Sequence, residues 1–207
     1  MRFEKREITL RDGRKCILQP TTPEYAEKML AYLLQTAAET PFLLREPDEI
    51  TYTLEEEREV LENLLKKDDT VMMMALVEDE IAGNCSIARI DPKKRIRHRC
   101  SLAIALKKDY WNLGIGSAMM GYLTKLAMQM GFDQMELGVI EGNDRAKALY
   151  EKNGFIETGK IANAMKYEDG SLRDEIIMSK WIGGPRVVGN EDDYGQPLRN
   201  GTCQYCL

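Results

Sequence analysis

The chain has 207 residues, enough for one domain with a continuous core and too few for two of ordinary size. Hydrophobic residues at 43% and charged residues at 30% are the balance of a globular protein, and a formal net charge of -5 repels phosphate backbones and anionic membranes, so neither nucleic acid nor membrane is an expected partner. No apolar run is long enough to span a bilayer, and Met1-Arg2-Phe3-Glu4-Lys5-Arg6-Glu7 lacks the apolar centre of a signal peptide, which makes a cytoplasmic location the expectation.

Lys15 to Gln19 reads as a first strand, and Thr22 to Ala38 as a helix with apolar positions at Ala26, Met29, Leu30, Leu33 and Leu34, ending before Pro41. Thr53 with Glu56 three residues on is a capping box that announces a second helix through Val60, Leu61, Leu64 and Leu65. Val71 to Val77 and Ile81 to Ile90, joined by Glu78-Asp79-Glu80, predict a strand hairpin. Ser101 to Leu106, apolar after its serine, predicts a fourth strand buried on both faces.

Ile115, Met119, Leu123, Leu126, Ala127 and Met130 recur at helical spacing, with Gly131 as the C-terminal cap. Met135 to Ile140 is a fifth strand, and Asp144 to Lys152 a helix closed by Gly154-Phe155, where a sixth strand begins. Glu168-Asp169-Gly170-Ser171 turns the chain into a last strand, Glu175 to Trp181. Residues 1–182 therefore form one domain. From Gly183 the composition shifts to Gly, Pro, Asn and Asp, and residues 183–207 read as a tail packed on the body or on a partner subunit.

Cys16, Cys85 and Cys100 sit singly in apolar segments, as expected of reduced thiols. Cys203 and Cys206 form a C-x-x-C, but a metal site needs two further ligands that the lone histidine, His98, does not supply, so no metal is expected.

The strongest feature is a strand, then Lys107-Lys108-Asp109-Tyr110-Trp111-Asn112-Leu113-Gly114-Ile115-Gly116-Ser117, then a helix. That order aims the free N–H groups and positive dipole end of the helix past the end of the strand, where an anion is favoured. Gly114 and Gly116 let the backbone approach phosphate oxygens. Two glycines before a helix also serve simply as a turn. A dinucleotide fingerprint would need G-x-G-x-x-G early in a βαβ unit, a P-loop would need Gly-Lys-Ser/Thr, and neither is present.

Trp111-Asn112-Leu113-Gly114-Ile115-Gly116 resembles motif A of the GNAT superfamily of N-acetyltransferases, Arg/Gln-x-x-Gly-x-Gly/Ala, with Trp111 in place of the Arg or Gln. Glu141 to Phe155 is similar to that family's N-x-x-A-x-x-L-Y-x-x-x-G-F segment, every fixed position being filled, and the pattern is nearest to the ribosomal-protein N-terminal acetyltransferases. The two motifs cover about residues 98–182. The resemblance implies an α+β (α/β/α sandwich) GNAT fold, with a mostly antiparallel mixed sheet of about seven strands, a splay between strands 4 and 5, and helices on both faces. It implies acetyl-CoA as co-substrate, with Ile104, Ala105 and Leu106 offering backbone groups to the pantetheine arm, Asn112, Leu113, Gly114, Ile115, Gly116 and Ser117 holding the pyrophosphate, and Asn143 bonding the arm. Tyr150 would be the catalytic proton donor.

The expected reaction is direct attack of a primary amine of a small molecule or peptide on acetyl-CoA in a ternary complex. The oxyanion donor would be a backbone N–H near Ile104. The general base stays unassigned. The glutamate that ribosomal-protein acetyltransferases carry twelve residues before the tyrosine is Gly138 here, and the strand glutamate of histone-type members aligns with Cys100. His98 on the same strand face, or solvent, would take the proton. Plainer readings stand beside these: Asn143 as an N-cap, Tyr150 as a core aromatic, His98 as surface.

Lys93 to Arg99 is a basic run, and Glu46, Asp48, Glu49 and the glutamates up to Glu62 form an acidic one; both suit solvated faces. The acidic loop would also attract a cationic amine, because the segment between the first two helices borders the acceptor groove in the family. The alternative function is a non-catalytic acyl-CoA-binding protein, and a third is nucleotide binding by the glycine loop. Subunit pairing into a homodimer is the family-based expectation for assembly.

Overall fold

Thr70–Val77 is apolar at both odd and even positions, so both of its faces must be covered and it belongs inside a sheet rather than at an edge. In the computed structural model, which describes residues 3–185, this run is the third strand of an eight-stranded sheet. The strands are β1 (Arg6–Thr9), β2 (Lys15–Pro20), β3 (Thr70–Val77), β4 (Glu80–Arg89), β5 (Arg99–Leu106), β6 (Gln134–Ile140), β7 (Ile156–Lys166) and β8 (Leu172–Trp181), in the spatial order β1-β2-β3-β4-β5-β6-β8-β7. The helices are α1 (Ala26–Glu39), α2 (Leu54–Lys66), α3 (Ile115–Gln129) and α4 (Asp144–Lys152). Every neighbouring strand pair is antiparallel except β5–β6, which gives the mixed α+β sandwich expected.

The alternation along β3 builds two cores. Val71, Met73, Ala75 and Val77 pack with Ile115, Met119 and Leu123 of α3, whereas Met74 and Leu76 pack with Met29 and Tyr32 of α1 on the opposite face. Burying each side chain of this size contributes roughly 1.5–3 kcal/mol. The capping box of α2 forms as read: Thr53 Oγ1 accepts from the Glu56 N–H at 3.2 Å, and the Glu56 carboxylate accepts from the Thr53 N–H at 2.8 Å.

The expected sheet of about seven strands has eight among the described residues, the added one being the polar Arg6–Thr9, which pairs with β2 at the sheet edge, where no apolar alternation is required. Two expectations are corrected. The helix expected from Thr22 begins as a 3-10 turn at Pro23–Tyr25, and α1 starts only at Ala26. The fourth predicted strand, observed as β5, is not buried on both faces: Ser101 and Ala103 are exposed, and Ile104, Ala105 and Leu106 are half-buried.

The reason is the splay. β5 and β6 run together only where Arg99, Cys100 and Ser101 register with Gln134, Met135 and Glu136, pinned by the bidentate pair of the Arg99 guanidinium with the Glu136 carboxylate. Beyond Ser101 they part, so the expected splay between predicted strands 4 and 5 lies between β5 and β6. Of the tail expected over residues 183–207, residues 186–207, with Cys203 and Cys206, lie outside the described part of the chain. Among the described residues no helix is long and apolar enough to cross a membrane.

Candidate active site

The glycine loop leaves β5 through a 3-10 turn at Lys108–Tyr110 and reverses through two left-handed residues, Asn112 (φ 62°) and Gly114 (φ 96°). Gly114 caps α3 without any side-chain hydrogen bond. The Ala118 N–H donates to the Gly114 carbonyl at 3.1 Å, so the N–H groups of Ile115, Gly116 and Ser117 have no partner within the helix and point, with its dipole, toward the mouth of the splay.

The two glycines do different work. Gly114 supplies the positive φ, and a Cβ there would touch nothing within 4 Å. At Gly116 a Cβ would lie 3.0 Å from Leu149 Cδ2 and 3.8 Å from Leu106 Cδ1, so this glycine lets α4 pack against the loop. Arg11, on the β1–β2 turn, holds the loop from outside: its backbone N–H donates to the Leu113 carbonyl at 3.2 Å and its guanidinium to the Asn112 carbonyl at 3.0 Å.

Trp111 packs, and does more. Its indole N–H donates to the Leu106 carbonyl at 2.9 Å, tying the loop to the end of β5, and the Arg145 guanidinium of α4 lies 3.7 Å from its ring centroid. The chain thus places a guanidinium against the residue that replaces the motif's Arg or Gln.

On β5 the backbone is divided between two sides. Ala105 turns toward β4, where the Tyr32 hydroxyl stands in the ladder, donating to the Ala105 carbonyl at 2.8 Å and accepting from the Asn84 N–H at 3.1 Å. By the alternation of an antiparallel strand, Ile104 and Leu106 turn their N–H groups to the other side, into the gap beside β6. The three residues expected to face a pantetheine arm therefore reduce to Ile104 and Leu106 for backbone hydrogen bonding. Tyr32 is fully buried, and burial pushes its phenol well above its ordinary value.

α4, which packs on the glycine loop through Leu149, carries Tyr150 and is capped by Asn143. Asn143 Oδ1 accepts from the Ala146 N–H at 3.3 Å, so the N-cap reading holds for that oxygen. Tyr150 is 6% exposed, its ring 6.2 Å from that of Phe155, and burial raises its phenol to about 12. Its hydroxyl meets no acceptor among the described residues and still touches solvent. A phenol so placed is protonated at neutral pH.

The base candidates fare differently. His98 lies in the turn before β5 rather than on the strand, its ring 6.5 Å from that of Trp181, eight residues and roughly 26 Å of strand away from Leu106. That removes the expected same-face approach to the splay. Cys100 is buried in the core against α3, with its thiol pushed up to about 12 by burial.

The segment between α1 and α2 meets the β7–β8 hairpin around a groove of about 350 Å³ lined by Pro41, Leu44, Glu46, Asp48, Glu49 and Tyr167, among others. The Tyr167 hydroxyl donates to the Pro41 carbonyl at 2.9 Å, and Arg173 lies 5.2 Å from the Phe42 ring and 5.1 Å from the Tyr167 ring. Sequence reading placed the acidic residues here. Tyr32, Arg11 and the Arg145–Trp111 stack escaped it, because each depends on partners distant in the chain.

Comparison with known proteins places this geometry in a family. The model of the Acetyltransferase (GNAT) family matches residues 25–155. A GNAT-family acetyltransferase from Streptococcus pneumoniae is 30% identical, with a TM-score of 0.75 over 80% of this chain and 99% of that one. The ribosomal-protein-alanine N-acetyltransferase of Brucella melitensis shares the fold at 22% identity, with a TM-score of 0.70 over 79% of this chain and 98% of its own. A Salmonella typhimurium structure holding its cofactor acetyl-CoA shares it at 12% identity, with a TM-score of 0.72 over 83% of this chain and 96% of its own. With the splayed β5–β6 pair and the glycine-opened N-terminus of α3, these matches establish that the chain belongs to the GNAT family of acetyltransferases.

Proposed function

We propose that this chain carries the acetyl group of acetyl-CoA to a primary amine on a cationic small molecule or peptide, by direct attack within a ternary complex. N-acetyltransferase activity and the use of acetyl-CoA follow from family membership; the acceptor class and the residue roles are the proposal. The observation that supports it is Tyr150, a buried, protonated phenol whose hydroxyl has no hydrogen-bond partner among the described residues, on the helix that packs on the glycine loop through Leu149.

In this reading the N–H groups of Ile115, Gly116 and Ser117 hold the pyrophosphate, with the Asn112 and Leu113 backbone completing the turn and Arg145 adding positive charge beside it. Ile104 and Leu106 bond the pantetheine arm as an added strand would, and the Asn143 amide N–H₂ bonds it from α4. The amine attacks the thioester carbonyl carbon, an N–H of β5 near Ile104 receives the oxyanion, the C–S bond breaks, and the sulfur takes the Tyr150 proton. Glu46, Asp48 and Glu49 favour a cationic acceptor.

A thiol-release assay with acetyl-CoA and a panel of spermidine, an amino-acid amide, an aminoglycoside and an alanyl peptide tests this, beside calorimetry with CoA. Acceptor-dependent release is the expected result. CoA binding without release from any acceptor would instead assign the chain to non-catalytic acyl-CoA binding.

A further inference from the structure

We propose that Glu175 of β8 is the proton acceptor for the incoming amine, acting directly or through one water at the free edge of β6; the role rests on the acetyl-transfer reading above. The last β6 residue in register with β5 is Glu136, so Gly138, two residues on, lies where the strands have already parted. Gly138 is exposed, on the sheet face opposite the buried Leu137 and Val139. In the β6–β8 register Gly138 opposes Ile177 and Ile140 opposes Glu175, which puts Glu175 on the same face as Gly138 and diagonal to it.

The carboxylate occupies the space that a side chain at position 138 would fill. A Cβ built on Gly138 would lie 1.7 Å from Glu175 Oε1 and 2.6 Å from its Cδ, so this seat exists only because residue 138 is glycine. Glu175 is half-buried there, and its carboxylate makes no hydrogen bond or ion pair among the described residues. A partly desolvated carboxylate without a partner forgoes the compensation that such groups normally find.

The charged groups around it are otherwise engaged. On β6, Glu136 is bound by Arg99, and at its end Glu141 pairs with Lys160 at 3.5 Å. On β8, Asp174 accepts from Lys160 at 2.5 Å, and Arg173 is turned onto Phe42 and Tyr167. On β7, Lys160 registers with Ile176 and so lies on the other face, while the residue opposite Glu175 is Ile161. On the loop side, Glu39 accepts the Lys108 N–H at 2.7 Å, and the Tyr32 hydroxyl is held between Asn84 and Ala105.

This arrangement supplies what the reaction lacks. Tyr150 belongs to the core on the α3 side of the sheet, and Glu175 lies on the opposite face, so acid and base approach the gap from opposite sides. The ammonium gives one proton to the Glu175 carboxylate, and the resulting amine attacks the thioester. The second amine proton, lost after attack, returns through solvent to the tyrosinate left when Tyr150 protonates the thiolate. Glu175 then releases its proton to solvent, so each turnover yields the amide, CoA thiol and one proton.

The test is a pH–rate profile on the full chain with acetyl-CoA and whichever panel amine turns over fastest. Glu175→Gln is expected to lower kcat/KM at neutral pH about 100-fold, the low end of what general base catalysis supplies, while CoA affinity by calorimetry stays within about twofold of wild type. The wild-type profile should be nearly flat across neutral pH, whereas that of Glu175→Gln should climb about tenfold per pH unit, because only amine already deprotonated in solution can react. Gly138→Ala, which evicts the carboxylate but keeps its charge, should reproduce both changes. Wild-type turnover with Glu175→Gln within about threefold of it and of the same pH slope overturns the role alone. A wild type that binds CoA and acetylates nothing overturns the proposed function and this role with it.

Discussion

Tyr150 shows how a single residue's burial decides its chemistry. Burial raises its phenol to about 12, so the proton is in place across neutral pH and ionisation of this group imposes no alkaline limit on activity there. Tyr150→Phe keeps the ring that packs on Phe155 and removes only the proton; kcat is expected to fall about 100-fold in the thiol-release assay, with CoA affinity by calorimetry unchanged. The placement of Tyr150 on a short helix and of Asn143 at its cap was legible in the sequence because the motif is local, one helix and its cap. Glu175 was not legible. Its meaning comes from a register with β6, 35 positions back in the chain from Glu175 to Ile140, and from an absent side chain at Gly138.

At the scale of elements, the readings that held are those with a period, a turn or a cap to carry them: the β3–β4 hairpin, the capped α2, and α3 opening on glycines. β1 was hidden because a polar edge strand has no alternation to show, and β5 was misjudged because its apolar residues face a gap rather than a second layer. The contact between α1 and β5 is of the same long-range kind. The Tyr32 hydroxyl, 73 residues from Ala105, replaces a direct ladder bond between β4 and β5, and so fixes how Ile104 is presented to the gap. Tyr32→Phe leaves the Asn84 N–H and the Ala105 carbonyl unmatched at a buried position. We expect a loss of about 1–3 kcal/mol in urea unfolding and a fall in kcat that exceeds any change in CoA affinity. The loop between α1 and α2 makes a separate, electrostatic prediction. Replacing Glu46, Asp48 and Glu49 by their amides should raise KM for spermidine roughly threefold to tenfold at low salt, and the difference should shrink as added salt screens these exposed charges.

On the scale of the whole molecule, the sheet is two halves. β1 to β5 form one ladder, β6 to β8 another, and between them the backbone register amounts to Arg99, Cys100 and Ser101 against Gln134, Met135 and Glu136. Beyond that hinge the halves are joined by side chains: α4 leaning on α3 through Leu149 over Gly116, Arg145 on Trp111, and Tyr167 on Pro41. A molecule that bonds Ile104 and Leu106 on one half and Asn143 on the other, with its anion on the α3 terminus, ties the halves together and binds only the folded state. Linkage then requires stabilisation of about 2.7 kcal/mol when acetyl-CoA is present at 100 times its dissociation constant. For a chain of this size 1 kcal/mol shifts Tm by roughly 2–4 °C, so a rise of about 5–10 °C is expected in a thermal scan. Gly116→Val should remove most of that rise, because a Cβ alone would lie 3.0 Å from Leu149 Cδ2 and the two further methyl groups would crowd the seam between α4 and the loop. If the rise instead survives in Gly116→Val, the cofactor does not draw on the contact between α3 and α4, and the bridging account of the two halves fails.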